Sequence, residues 1–299
     1  MFANGRVQGI IRIPSARVNA WIKRHSVATL FVLAYGLTWL GLIPQVMAAH
    51  GQVLPIPPTL SVAFAVGGCV FASLIVVHIA DGGKAGRWRL LRRYTIWRVG
   101  VHWYLLALFG PGIVFLAGIG LTALLRGAPP EIPIRGLSPA SLAFAFAVGV
   151  VQYARGNWEE LCWRGVALPR LQARYSTLGA TLLLGVVETF WHLPYAWMPG
   201  HPVQQLGLPV FLAFTVGLAI IFSWVFNNTQ GSLLIVTLFH AALGTWWALL
   251  GTPGDATPFY LMTGLIWIIA LLLVIVYGPA HLSHRPAAQL PIVGESGRA

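Results

Sequence analysis

The sequence predicts an all-α fold, a polytopic membrane helix bundle with about eight transmembrane helices. Hydrophobic residues make up 57% of the 299 residues and charged residues only 9%, whereas a soluble domain carries roughly 25% charged residues. Mean hydropathy is +0.75. So few charges cannot cover a water-facing surface, which excludes a soluble globular protein. Helices are expected because lipid offers no water to satisfy the open edge of a sheet.

Eight apolar segments carry this prediction, since a helix that crosses a bilayer needs roughly 20 mostly apolar residues. The fourth segment is the least regular because it runs into a charged stretch. The eight segments define a single transmembrane domain at 26–280, between a basic tail at 1–25 and a second tail at 281–299. In chain order, the predicted spans are 26–48, 60–80, 101–125, 137–153, 177–197, 206–226, 231–250 and 259–277.

The distribution of charge predicts the orientation of the bundle. The chain has 19 Lys and Arg against 7 Asp and Glu, a balance that in a soluble protein would indicate nucleic acid. Here Lys and Arg cluster before the first span, at 84–98 and at 155–174, whereas the alternate loops 49–58, 198–205 and 251–258 contain none. The remaining alternate loop, 126–136, is a mild exception with two Arg and one Glu. Because basic loops stay on the cytoplasmic side, both tails are expected to be cytoplasmic in a bacterial plasma membrane. The lipid bilayer is the expected partner, and no nucleic acid is needed.

The segment 86–99 interleaves Trp88, Tyr94 and Trp97 with five arginines. Two interpretations stay open for it. It is either a loop kept on the cytoplasmic side by its charge or an interfacial helix that binds anionic lipid headgroups.

Two adjacent acids, Glu159 and Glu160, lie beside apolar helix, where ionisable groups are costly and usually functional. On a helix, Glu160 and Arg164 are four residues apart on one face, which favours an ion pair. Glu159 points elsewhere and has no basic residue at that spacing. A free carboxylate of this kind can act as a general base. The alternative is an ordinary charged helix end at the membrane interface.

Glu188 and His192 are also four residues apart, so that the carboxylate could hold the imidazole in one tautomer. His240 lies in the middle of a later apolar segment. The alternatives are an interfacial histidine at 192 and a buried neutral histidine at 240 that bonds a neighbouring carbonyl.

Carboxylates and histidines inside a bilayer indicate either hydrolysis or ion transport. A glutamate base and imidazoles could hold an attacking water, or the same groups could bind a divalent metal such as zinc. No cofactor is certain, and the ligands of such a metal would be Glu159, His192 and His240. The spacing is not the HExxH of a zincin helix.

The pair Glu159–Glu160 with Arg164, then His192, then His240 in a later helix, resembles the CAAX protease and bacteriocin-processing enzyme family over about 148–247. These are intramembrane endopeptidases, historically called metalloproteases and related to the CAAX prenyl proteases. The resemblance implies that Glu159 activates water and that His192 helps to position it. It also implies that Glu160 and Arg164 form a supporting pair and that His240 stabilises the oxyanion.

The chain departs from the family pattern at two positions. Glu188 stands where the family usually has phenylalanine, and Gly244 stands where it usually has asparagine or a similar polar residue. That asparagine would be an oxyanion donor, whose loss costs about 10²–10³ in rate. Thr245, Asn227 or Asn228 could supply a substitute. Glu188 could compensate by orienting His192 or by binding a metal.

These observations predict an intramembrane endopeptidase that hydrolyses a peptide bond of a membrane-associated protein or peptide. Two other functions stay open. The chain could be a catalytically impaired scaffold or chaperone, which Gly244 favours, or a proton-coupled transporter that uses Glu159, Glu188 and His240 as a relay.

Overall fold

The computed structural model of the chain describes residues 15–156, 158–252 and 254–285. Within these ranges the chain is helical and contains no β-strand, which confirms the predicted all-α class. The outer parts of the predicted tails, 1–14 and 286–299, lie outside the described residues. In chain order the helices are α1 (Ser15–Arg24), α2 (Ser26–Ala49), α3 (Pro58–Ala80), α4 (Lys84–Leu91), α5 (Val101–Arg126), α6 (Pro139–Gly156), α7 (Glu159–Cys162), α8 (Leu168–Gln172), α9 (Thr177–Trp191), α10 (Pro202–Leu206), α11 (Leu208–Asn228), α12 (Leu233–Leu250) and α13 (Thr257–Tyr277).

Six of the described helices, α2, α3, α5, α11, α12 and α13, are long and apolar enough to cross a membrane. The chain is therefore an integral membrane protein. The predicted fourth span corresponds to α6, and the predicted fifth corresponds to α9, an apolar helix of only 15 residues. The count of eight crossings stays a prediction.

Both predicted tails include folded residues. The N-terminal tail contains α1, whose Ile22 is buried. The segment after α13 is fastened to α11, because Asn227 Nδ2 donates to the His281 carbonyl at 2.9 Å and Asn228 Nδ2 donates to the Leu282 carbonyl at 2.9 Å. The segment 86–99 forms most of α4 and a 3₁₀ turn, Arg92–Thr95, followed by non-helical chain.

The segment 155–174, predicted as a basic cytoplasmic loop, is mostly buried helix. From α6 to α8 the chain runs antiparallel to α12, with the rings of Phe146 and Trp246 in contact at one end and Gly165 close to Leu233 at the other. The prediction failed because hydropathy counts Arg164 as a loop charge, whereas a paired arginine can be buried. Arg164 is only 1% exposed.

A π-helical turn, Trp163–Ala167, interrupts this segment between α7 and α8. The Leu168 amide donates to the carbonyl of Trp163, five residues back. Pro169 has no N–H to offer to the carbonyl of Gly165, so a regular α-helical bond is absent there by covalent structure. Such single-turn π-bulges are frequent at functional sites.

Candidate functional site

Arg164 lies between two buried carboxylates that come from different helices. Its Nη1 atom is 3.2 Å from Glu160 Oε1 and 3.0 Å from the carboxylate of Glu188 on α9. The guanidinium also stands 4.4 Å from the ring centre of Phe222. Glu160 is fully buried and Glu188 is 5% exposed, and buried charges persist only when they are paired in this way. The pairing of Glu160 with Arg164, predicted from their spacing, is confirmed.

His240 is bonded to the same carboxylate. Its Nδ1 atom lies 2.8 Å from Glu160 Oε1, and since an ionised carboxylate only accepts, Nδ1 carries the proton. The register of α12 is set at its start, where Ser232 Oγ accepts from the Ile235 amide and caps the helix. Arg164, Glu160 and His240 thus form one hydrogen-bonded chain.

His192, the residue that directly follows α9, is oriented by a backbone group. Its Nδ1 atom lies 2.8 Å from the Glu188 carbonyl oxygen, so Nδ1 is the donor and Nε2 is left for another partner. The expectation that the Glu188 carboxylate holds this imidazole is wrong, because the backbone carbonyl of Glu188 accepts the hydrogen bond. That carboxylate bonds Arg164 instead, because burial makes an arginine partner more favourable than a neutral ring.

Glu159 is half-buried and has no ion pair among the described residues. Its Oε2 atom is buried without a hydrogen-bond partner in that part of the chain. The nearby cationic groups, Arg164 and His240, both bond its neighbour Glu160. An unpaired carboxylate is costly to bury, so its placement needs a reason beyond folding.

A cavity of about 420 Å³ brings these groups together, and we call it the site cavity. Its size is that of ordinary ligand pockets. His192 lies about 22 Å from the start of α9, by a rise of 1.5 Å per residue. It can share this cavity with Glu159 because α7, which carries Glu159, also lies deep in the bundle. The polar walls are Glu159, Arg164, Glu188, His192, His201, Thr215 and His240, and the other lining residues include Tyr153, Tyr195, Phe211, Phe214, Phe222, Leu243, Gly244, Trp247 and Phe259.

The predicted substitutes for a donor at position 244 do not line this cavity. Thr245 is 1% exposed and donates to the Ala241 carbonyl at 2.7 Å. Asn227 and Asn228 lie at the far end of α11, where they hold the segment after α13. These three expectations are wrong, because each side chain faces a helix contact.

Two tyrosines that sequence reasoning missed line the site cavity. Tyr153 and Tyr195, with Glu159, also line a second cavity of about 340 Å³ beside α2 and α3. Tyr195 stacks on His201, with ring centres 4.0 Å apart and planes 7° apart. Burial, and then the nearby His192, lower the pKa of His201 to about 3, so this imidazole is neutral at physiological pH.

The donor set does not fit a metal centre. Among the described residues, no three His, Cys, Asp or Glu side chains come together as ligands of one ion. Glu160 and Glu188 are bonded to Arg164, which competes with a cation for their oxygens. Glu159, His192 and His240, the residues predicted as ligands if a metal is bound, therefore line a cavity but do not form a metal-binding site. What the arrangement can do is hold and deprotonate a water, with Glu159 as the acceptor of the proton.

Comparisons with known proteins identify the part of the chain that holds this site. Residues 135–246 match the family model described as type II CAAX prenyl endopeptidase Rce1-like. CAAX prenyl protease 2 of Methanococcus maripaludis is 27% identical over 126 residues, which is 40% of this chain. The match spans 45% of that relative's own length.

The matched segment contains α6 to α11 and most of α12, and hence every group in the hydrogen-bonded chain around Arg164. The resemblance predicted from the sequence is confirmed: residues 135–246 of this chain are similar to the type II CAAX prenyl endopeptidases.

Proposed function

We propose that this chain is an intramembrane endopeptidase that hydrolyses a peptide bond of a membrane-associated protein or peptide. The observation that carries the proposal is that Glu159, unpaired, lines the same cavity as His192 and His240. The family match over 135–246 supports it.

In the proposed reaction Glu159 is the general base. A water molecule donates a hydrogen bond to His192 Nε2, and the Glu159 carboxylate takes a proton from this water. The resulting hydroxide attacks the carbonyl carbon of the peptide bond. His240, which the Glu160 carboxylate stabilises as an imidazolium, donates from Nε2 to the carbonyl oxygen as it becomes an oxyanion.

The tetrahedral intermediate then collapses. Its C–N bond breaks, and the protonated Glu159 gives its proton to the leaving amine. Arg164 and Glu188 do not react in this scheme. They hold Glu160, and through it the ring of His240, in a fixed place, as partners behind a reacting group commonly do.

Among membrane-associated substrates, we propose proteins that end in a prenylated CAAX sequence, a class named by the relative. A pair of internally quenched peptides tests this choice: one ends in a farnesylated CAAX sequence, and the other has the same sequence without lipid. Cleavage of the lipidated peptide alone supports the class, whereas equal cleavage of both contradicts it.

The endopeptidase proposal itself is tested without assuming a substrate. Membranes from cells that express the wild type or Glu159→Gln are compared by mass spectrometry of peptide termini. We expect new termini, confined to membrane-associated proteins, in the wild type only. Identical sets of termini in the two samples would overturn the proposal.

The scaffold alternative makes a different prediction for the same residue. If the chain acts only by binding, Glu159→Ala and His240→Ala should complement a deletion phenotype as well as the wild type does. We expect both variants to fail. The variants' abundance in the membrane, measured by immunoblot, separates a loss of activity from a loss of protein.

A further inference from the structure

The ring of Tyr153 rests directly on Gly244. A Cβ atom added at Gly244 would stand 2.6 Å from both Cδ1 and Cε1 of Tyr153. Real Cβ atoms do not approach that closely, so only glycine at 244 leaves room for the ring where it is. Tyrosine and glycine therefore fit each other as a pair, with the ring on α6 and the gap on α12.

This contact places Tyr153 beside His240. Positions 240 and 244 are four apart on α12, and residues at that spacing lie on the same helix face. The ring of Tyr153 thus covers the face of α12 one turn beyond His240. Both residues, with Gly244, line the site cavity.

The Tyr153 hydroxyl is available to a ligand. It has no hydrogen-bond partner among the described residues, yet its oxygen is not one of the buried unpaired polar atoms. The Tyr153 side chain is partly exposed, and it lines both cavities alongside Glu159. A phenol is a hydrogen-bond donor that stays neutral in the membrane.

We propose that Tyr153 is a further catalytic residue, which donates a hydrogen bond from its hydroxyl to the carbonyl oxygen of the scissile peptide bond and to the oxyanion that forms from it. This inference rests on the proposed endopeptidase function. It gives the oxyanion two donors: His240 on α12, and Tyr153, whose ring covers the same face of α12 from α6. The contact with Gly244 then positions the Tyr153 ring for this role.

The test is the cleavage of the farnesylated, internally quenched CAAX peptide by purified protein in proteoliposomes. Tyr153→Phe removes only the hydroxyl and keeps the ring on Gly244. We expect kcat to fall by about 10²–10³, the usual effect of losing one oxyanion donor, with KM changed less than threefold. Tyr260→Phe, at an exposed tyrosine of α13, is the matched control and should keep the wild-type kcat.

A second pair of variants tests whether the Tyr153 ring, packed on Gly244, acts by placing a hydrogen-bond donor there. Tyr153→Ala should lose as much activity as Tyr153→Phe. Adding Gly244→Asn to Tyr153→Ala puts an amide donor into the space that the ring has left, and we expect it to restore kcat at least tenfold. A purely structural role of the ring would give no such rescue.

The outcomes separate this inference from the function on which it rests. Cleavage that survives in Glu159→Gln overturns the proposed function and the inference together. A wild type that leaves the peptide intact overturns the proposed substrate class, and the same variants are then assayed on a substrate identified by the comparison of peptide termini. Cleavage that depends on Glu159 but is unchanged in Tyr153→Phe overturns the role of Tyr153 alone. So does a loss found in Tyr195→Phe and not in Tyr153→Phe.

Discussion

At the scale of single residues, Arg164 holds two buried carboxylates through one nitrogen atom. The Nη1 atom is bonded to Glu160 and to Glu188, and the Nε atom has no partner among the described residues. Among the described residues, Glu188 therefore has Arg164 as its cationic partner, whereas Glu160 also bonds His240. Because the Glu160 carboxylate bonds the ring of His240, the position of that ring also depends on Arg164.

Replacing Arg164 by methionine should strongly destabilise the bundle, because two buried carboxylates lose their partner. Removing one member of a buried ion pair costs about 3–5 kcal/mol. We expect a decrease of that size in the free energy of unfolding, measured by SDS titration in mixed micelles. Arg155→Lys, at an exposed position of α6, is the control and should leave it unchanged. Equal stability of Arg164→Met and the wild type would show that the ion pairs contribute nothing.

The two bonds of Arg164 differ in how far they could be predicted. Glu160 is four residues away, and helical spacing alone brings the two together. Glu188 is 24 residues away, and it meets Arg164 only because α9 packs beside the π-helical turn. Without that packing, the nearest partner for the Glu188 carboxylate in sequence was His192, which explains the incorrect expectation.

At the scale of helices, α2 and α3 are packed so closely that Gly41 has no room for a side chain. A Cβ atom at Gly41 would stand 2.2 Å from the Ala65 amide nitrogen and 2.3 Å from the Ser61 carbonyl oxygen. Ser61 Oγ also donates to the Gly41 carbonyl at 2.7 Å. Small residues that let backbones approach are typical of helix pairs in membranes.

Gly41→Ala should push α2 and α3 apart, since both clashing atoms belong to backbone. Overpacking of this kind costs typically about 1–3 kcal/mol, and we expect a matching decrease in the free energy of unfolding in SDS. Gly36→Ala is the control in the same helix, because nothing lies within 4 Å of its added Cβ. It should change stability by no more than about 0.5 kcal/mol. The same loss in both variants would contradict close packing at Gly41.

The long apolar helices could be predicted from hydropathy, because each presents an unbroken apolar stretch of bilayer length. The segment α7 to α8 could not, since Glu159, Glu160 and Arg164 lower its hydropathy although the last two neutralise each other in the interior. Pro169 was the available signal of an irregular turn before α8. Glu159, Glu160 and Arg164 of the site therefore lie in a stretch that charge counting assigned to a loop.

At the scale of the whole molecule, the distribution of arginines still predicts which end of the bundle faces the cytoplasm. Arg164 and Arg170 no longer count as loop charges, since Arg164 is buried in ion pairs and Arg170 is bonded to Asp81 at 2.6 Å. The remaining basic residues of 84–98 lie on the side where α3 ends and α5 begins. The loop after α2 belongs to the opposite side.

Labelling with a membrane-impermeant maleimide tests this orientation. Val53→Cys, in the loop after α2 at an 86% exposed position, should react in intact cells. Lys84→Cys, exposed at the start of α4, should react only after permeabilisation. The native Cys69 and Cys162 are 1% and 0% exposed and leave little background. The reverse pattern would contradict cytoplasmic termini.

The most direct test of the proposed chemistry is the rate at which purified Glu159→Gln cleaves a substrate identified by the comparison of peptide termini. The substitution keeps the shape of the side chain and removes the base. We predict that kcat falls by about 10²–10⁴, the contribution typical of a general base, while Glu131→Gln, at an exposed loop position, cleaves at the wild-type rate. Full activity of Glu159→Gln would contradict the role of Glu159 as the base.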